Sequence, residues 1–311
     1  MMKTYFKLIL IFICFIFIYD NLNDNSDFIF SILNFKLFDF LILTLLSIIS
    51  IIVYSRIILL FLRYFGKLEI SLSKWNLIYF NSQFLNSIPF LGIFYRAIQL
   101  KKLNIDYKIF FIIYMMINWL YLCLSLFLMS LEILIFIPEY KILNISVYYL
   151  TFLSGLILII LPMIIFFCLS LIRGNFFNQN YILKLNFFFS YFDIRKFKLK
   201  FILILISLFI VLHAIELMIF FKLIVFVKPN VDFINSYLIF ISSTIIDSIN
   251  ILPQNILFSE IGYGLITQKL EQDFSLGIVI KLYSRFIIFN SAILVAIIYN
   301  VYIYTLKIKH E

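Results

Sequence analysis

The sequence predicts an all-α polytopic integral membrane protein, with about six full spans and two re-entrant hairpins arranged as two inverted repeats. Three observations carry that expectation. Hydrophobic residues make up 64% of the 311 residues and charged residues 13%, against about 25% charge in a soluble domain. Apolar runs of roughly 20 residues recur along the chain, the length that crosses a bilayer core. Two regions break the apolar pattern with Pro, Gly, Asn and charged residues, and they sit at corresponding places in the two halves. A β-barrel would need alternating apolar and polar residues, and these runs are continuous.

The first apolar run, residues 5–19, follows Lys3 and Lys7. No small-residue cleavage site follows it, so it is read as an uncleaved signal anchor. A polar segment, 20–36, carries Asp20, Asp24 and Asp27. A second span covers 37–54. Residues 75–107, "WNLIYFNSQFLNSIPFLGIFYRAIQLKKLNIDY", hold apolar pieces too short to cross, interrupted by Asn81, Asn86, Pro89, Gly92 and Arg96. A third span covers 109–137 and a fourth 145–171. Residues 173–200 form a basic loop. A fifth span covers 201–226. A second interrupted region, about 234–270, contains "ILPQNILFSEIGYG" with Pro253, Asn255, Glu260, Gly262 and Gly264. The last span covers 277–305.

The basic residues orient this path, because cytoplasmic loops collect Lys and Arg. With a cytoplasmic N-terminus, and each interrupted region entering and leaving on one side, the cytoplasm receives 18 of the 25 basic residues. These are ten of the eleven up to Lys108, six in 173–200 and two at the C-terminal end. Treating the interrupted regions as full spans destroys the alternation. Each half then reads span, span, hairpin, span, in opposite orientation. The expectation is one membrane domain, 1–311, with repeat halves of about 1–140 and 141–311. Both termini are cytoplasmic, in the plasma (inner) membrane. Inverted repeats with paired Pro/Gly-interrupted segments mark transporters, and the interruptions point to the site.

Proline frees a backbone carbonyl and leaves helix ends facing inward. A helix N-terminus attracts anions, and Arg96 adds a fork that matches phosphate. Glu260 faces either a cationic head group or a basic partner, Arg285. A charge at bilayer depth costs roughly 2.5–3.5 kcal/mol on insertion scales, so it needs a partner or water. The lipid head-group candidates are therefore Asn86, Pro89, Gly92, Arg96, Pro253, Asn255, Glu260 and Arg285.

Other polar groups are read mainly as structural. His213 and Glu216 share a face of the fifth span. A di-metal bundle site would need further Glu-x-x-His partners, so an interhelical hydrogen bond is preferred to a metal, with a proton relay as the remaining option. Asn118, Glu132 and Asp247 read as packing polar groups, and Pro162 as a kink. Cys14, Cys123 and Cys168 lie in apolar runs and point to neither a disulfide nor a metal. No catalytic residue, metal site or cofactor is expected. The +9 charge is a topology signal, not a nucleic-acid one.

The interrupted segments resemble the membrane region of the lysylphosphatidylglycerol synthase family, in its standalone flippase-like form. The family's early motif is N-x-x-x-P-x-x-x-G-x-x-x-R followed by a basic stretch; "NSIPFLGIFYRAIQLKK" is similar to it in order, with Pro89, Gly92 and Arg96, and Gly92 and Arg96 keep its spacing. Ile93 stands where the family often has Glu. The late motif, P-G-N-L-G-x-x-E with a downstream Arg, is similar to Pro253, Asn255, Glu260 and Arg285. Gln254 and Leu257 replace its glycines. The resemblance implies a translocator of lipids or lipid-linked substrates between leaflets, with anionic phospholipid or a lipid-linked substrate as partner. A separate lipid-modifying enzyme or glycosyltransferase is a further implied partner. No synthase domain follows before Glu311, so aminoacyl transfer by this chain alone is not expected. A different class is a membrane transferase on polyprenyl-linked sugars, whose nearest carboxylate pair is Glu271 and Asp273.

Overall fold

The computed structural model describes residues 37–66, 68–86, 91–136, 141–142, 145–171, 198–248 and 258–308. Several expectations fall outside these residues. They are the signal anchor (5–19), the acidic segment (20–36), most of the basic loop, Pro89, Pro253 and Asn255.

The described residues are helical. In chain order the helices are α1 (Leu37–Phe65), α2 (Leu72–Leu85), α3 (Leu91–Lys101), α4 (Tyr107–Phe136), α5 (Val147–Leu171), α6 (Leu199–Val227), α7 (Phe233–Ser248), α8 (Phe258–Glu271) and α9 (Phe274–Ile308). Between α4 and α5 lies a minimal antiparallel ladder, Lys141–Ile142 with Ile145–Ser146, pairing Lys141 with Ser146 and Ile142 with Ile145.

Four helices, α1, α4, α6 and α9, are long and apolar enough to cross a membrane, and they coincide with four of the expected spans. Their exposed faces carry Leu41, Leu45, Phe111, Leu203, Met218, Phe286 and Ile298. An apolar outer face of this kind suits lipid. The chain is therefore a helical membrane protein. α1 continues eleven residues past Tyr54, through Arg56 and Arg63. Asp39 in its first turn and Arg63 in its last suit the helix dipole. Arg63 also donates from Nη2 to the Ile70 carbonyl at 3.0 Å, which ties the exit of the helix to the following loop. α5 spans 25 residues and continues past Pro162.

The interrupted regions are helix pairs: α2 with α3, and α7 with α8. None reaches across a bilayer. The longest, α7, has 16 residues, or about 24 Å at 1.5 Å per residue, against a core of about 30 Å.

By compactness the described residues form two units. One holds residues up to Ile52, Ser71–Arg96 and residues from Ala214 onward. In it α8 packs on both α7 and α9, and α2 packs on α9. The other holds Val53–Ile70 and Ala97–His213, with α4 packed on α5. Trp119 Nε1 donates to the Leu158 carbonyl across that α4–α5 contact at 3.0 Å.

Candidate functional site

α2, α7, α8 and the part of α3 up to Arg96 belong to the first unit, and the two helix pairs handle charge differently. α2 starts at Ser71, whose extended backbone and hydroxyl cap the helix by accepting from the Lys74 amide at 3.3 Å. The capping oxygen satisfies a donor that has no intrahelical partner. This sets the face on which Trp75, Tyr79 and Ser82 are buried. Arg96 comes to them from α3 and is 2% exposed. Its Nε donates to Ser82 Oγ at 3.0 Å, and its guanidinium lies 4.7 Å from the centroid of the Tyr79 ring. Ser82 Oγ in turn donates to the Tyr79 carbonyl at 2.6 Å. Among the described residues, then, Arg96 is held by a hydroxyl and a π-face, with no carboxylate in an ion pair with it. Gly92 permits this arrangement: a Cβ there would overlap the Ser82 carbonyl and the Asn86 side-chain oxygen. Asn86 itself donates to Gln83 Oε1 at 3.0 Å and belongs to the end of α2.

The second pair is neutralised internally. Glu260, in the first turn of α8 and 3% exposed, lies 2.5 Å from Arg285 Nε on α9. Arg285 Nη2 donates to Ser259 Oγ at 3.0 Å, and Ser259 donates to Glu260 Oε2 at 3.3 Å. One turn earlier on the same face of α9, Lys281 Nζ lies 2.7 Å from both carboxylate oxygens of Asp247 on α7. Tyr263 of α8 donates to the same carboxylate at 2.8 Å, and its ring sits under Lys281 at 4.8 Å. Cations four residues apart on a helix share a face, and here each meets a carboxylate from a different helix.

The glycines of this region serve close packing. Gly262 faces Ile246 of α7 and Gly264 faces the Phe274 ring, and a Cβ at either would come within 2.7 Å of them. At Gly277 a Cβ would overlap the Tyr263 carbonyl, so α8 and α9 meet backbone to backbone. Thr267 completes that crossing: its Oγ1 accepts from the Gly277 amide at 3.0 Å and lies 3.1 Å from the Tyr263 and Gly264 carbonyls.

Asp247, read from the sequence as a packing polar group, holds α7 to α9 through its ion pair with Lys281, a partner that sequence reasoning did not single out. The available signal was the spacing of Lys281 and Arg285, a pair of cations one turn apart in an otherwise apolar span. His213, 2% exposed, lies 3.3 Å from both carboxylate oxygens of Glu132 on α4. Asn118 accepts from the Tyr54 hydroxyl at 3.0 Å. Glu271 is held by Lys228 at 3.1 Å and Asn235 at 2.7 Å. Asp273 caps α9, accepting from the Leu276 amide at 3.0 Å and from Ser275 Oγ at 2.7 Å. Both carboxylates of "EQD" are thus engaged in holding the α8–α9 turn, where Gln272 takes a positive φ of 57°. Among the described residues no cluster of three His, Cys, Asp or Glu could hold a metal ion. No protein-family model, curated protein or solved structure matches the chain.

Proposed function

We propose that the chain translocates lipids, or lipid-linked substrates, between the leaflets of the plasma membrane, in the manner of a flippase. Arg96 carries this reading. A cation in an apolar interior is costly unless an opposite charge or water meets it. Lys281 and Arg285 of α9 each meet a carboxylate of the second helix pair, whereas among the described residues Arg96 meets a hydroxyl and a ring. That leaves one positive charge for an anion, and a guanidinium binds phosphate oxygens in bidentate fashion. The head group of an anionic phospholipid, or the phosphate of a lipid-linked substrate, has that chemistry.

The placement of the helix pairs along α9 supports the same reading. The second pair engages α9 at Lys281 and Arg285. The first engages it at Tyr299, whose hydroxyl donates to the Ser73 carbonyl at 3.0 Å, and at Asn300, which donates to Asn81 Oδ1 at 2.7 Å. The two levels are roughly 20 Å apart at 1.5 Å per residue. Separated levels on one span fit hairpins that enter from opposite faces, the inverted arrangement of transporter repeats. Glu260 and Arg285 then hold the second hairpin, and Arg96 meets the head group. The motif resemblance at residues 86–102 points the same way.

The test is movement of a fluorescent phosphatidylglycerol in vesicles reconstituted with the full chain. Arg96→Gln is expected to abolish movement while leaving the melting temperature in detergent unchanged, and Arg96→Lys to retain part of the activity. Undiminished movement in Arg96→Gln overturns the proposal. Loss of movement together with a collapsed melting transition would assign Arg96 to holding the hairpin instead.

A further inference from the structure

Within the first unit, the N-terminal part of α1 and the C-terminal part of α6 enclose a cavity of about 490 Å³, open on one side, lined by Asp39, Leu43, Phe221, Lys222, Val225 and Phe226. We propose that it binds one zwitterionic aminophospholipid, with the ammonium on Asp39, the phosphate on Lys222 and the upper acyl chain against the aromatic wall. Nothing in this inference depends on Arg96 or on translocation.

Position argues for a lipid. Asp39 stands in the first turn of α1, and Pro229, also at the cavity, lies just beyond the end of α6 at Val227. The cavity therefore opens where two membrane-crossing helices begin and end, at the level of lipid head groups. Lys222 sits about one and a half turns inside that end, within reach for its stem to lie along apolar surface while the ammonium stays at the interface.

The walls are fixed before any ligand arrives. Phe221 stacks on Phe233 at 5.3 Å and on Tyr237 at 6.4 Å, and Phe226 meets Tyr283 edge-on at 5.7 Å. The volume falls within the roughly 300–1,000 Å³ of small-molecule sites, enough for a head group and the first methylenes.

Charge selects the class of lipid. Lys222 Nζ and Asp39 Oδ1 are 3.4 Å apart, and their side chains are 43% and 35% exposed. Such an exposed pair is weak, so a ligand can replace it. A purely anionic head group would satisfy Lys222 and be repelled by Asp39. A head group carrying both charges satisfies both.

The test is native mass spectrometry of the full chain released from bilayers of equal phosphatidylethanolamine and phosphatidylglycerol content. One phosphatidylethanolamine is expected to be retained per chain, in preference to phosphatidylglycerol, and to be retained equally in Arg96→Gln. Asp39→Asn is expected to weaken that retention about tenfold, the effect of losing one hydrogen bond to a charged group, without weakening phosphatidylglycerol. Val225→Trp, at an exposed position, fills the cavity without disturbing the core and should abolish retention. Equal retention of the two lipids, or unchanged retention in Val225→Trp, overturns the proposal. So does a disulfide between Val225→Cys and the native Cys14 under mild oxidation, in a background lacking Cys123 and Cys168, because it would seat the chain's own N-terminal segment in the cavity.

Discussion

The first helix pair buries one cation against a hydroxyl and an aromatic ring; the carboxylates of the second meet two partly exposed cations of α9, Lys281 and Arg285. Both pairs are short, interrupted and close-packed through glycine, so backbone architecture does not separate them. Charge compensation does. A pair of opposite charges removed from water together leaves no net charge, and it binds the helices that supply it. Arg285 and Lys281 tie α8 and α7 to α9 in this way. Among the described residues Arg96 ties α3 to α2 through neutral groups, and on the proposed function its charge serves a ligand. The lesson is that a buried charge is a candidate for function to the extent that the fold leaves it uncompensated.

The largest test of this contrast concerns orientation. Single cysteines at Asn104 and Asn230, in a background lacking the native three, should label from opposite sides of the membrane with an impermeant thiol reagent. Asn230 should label from outside, and Asn104 only after permeabilisation. Labelling from one side would break the opposed-hairpin arrangement and with it the comparison.

Stability should divide the two hairpins next. Arg285→Gln leaves Glu260, 3% exposed, without its ion pair. Breaking a buried pair by removing one partner typically destabilises by about 3–5 kcal/mol, read here as a lowered melting temperature in detergent. Glu260→Gln in the same chain should recover most of the loss, because the uncompensated charge is gone. Failure of the double variant to recover would mean that Glu260 and Arg285 act separately. Arg96→Gln, with no carboxylate to strand, should fall well short of the single Arg285 variant.

The smallest of these effects lies in the packing that the ion pairs accompany. Gly277→Ala forces a methyl toward the Tyr263 carbonyl. Overpacking of this kind costs about 1–3 kcal/mol, and it should lower the melting temperature without abolishing lipid movement. A neutral result would show that α8 and α9 can separate at low cost, and the second hairpin would then be less rigid than its ion pairs imply.

Much of this was legible in the residues. Continuous apolar runs placed α4, α6 and α9 within about three residues of their ends, and the start of α1, whose end lies eleven residues beyond the expected one, because a helix that faces lipid must be apolar over a fixed length. The interruptions of the apolar pattern around Pro89 and Pro253 were visible as rare Pro and polar residues. Arg96, Glu260 and Arg285 stood out because an intramembrane charge is expensive wherever the chain folds.

The sequence by itself determined that this is a helical membrane protein, where four apolar helices long enough to cross a membrane lie and which few charges must be accounted for. Bilayer thickness and the cost of burying charge act on the residues directly, before any tertiary contact. Only the tertiary structure decided which charges cancel. Asp247 and Lys281 are 34 residues apart and meet at 2.7 Å; Glu132 and His213 are 81 apart and meet at 3.3 Å. Pairing across such separations depends on which helix faces pack together. In a chain where Phe, Ile and Leu surround every polar residue, the apolar pattern is too uniform to mark one face from another.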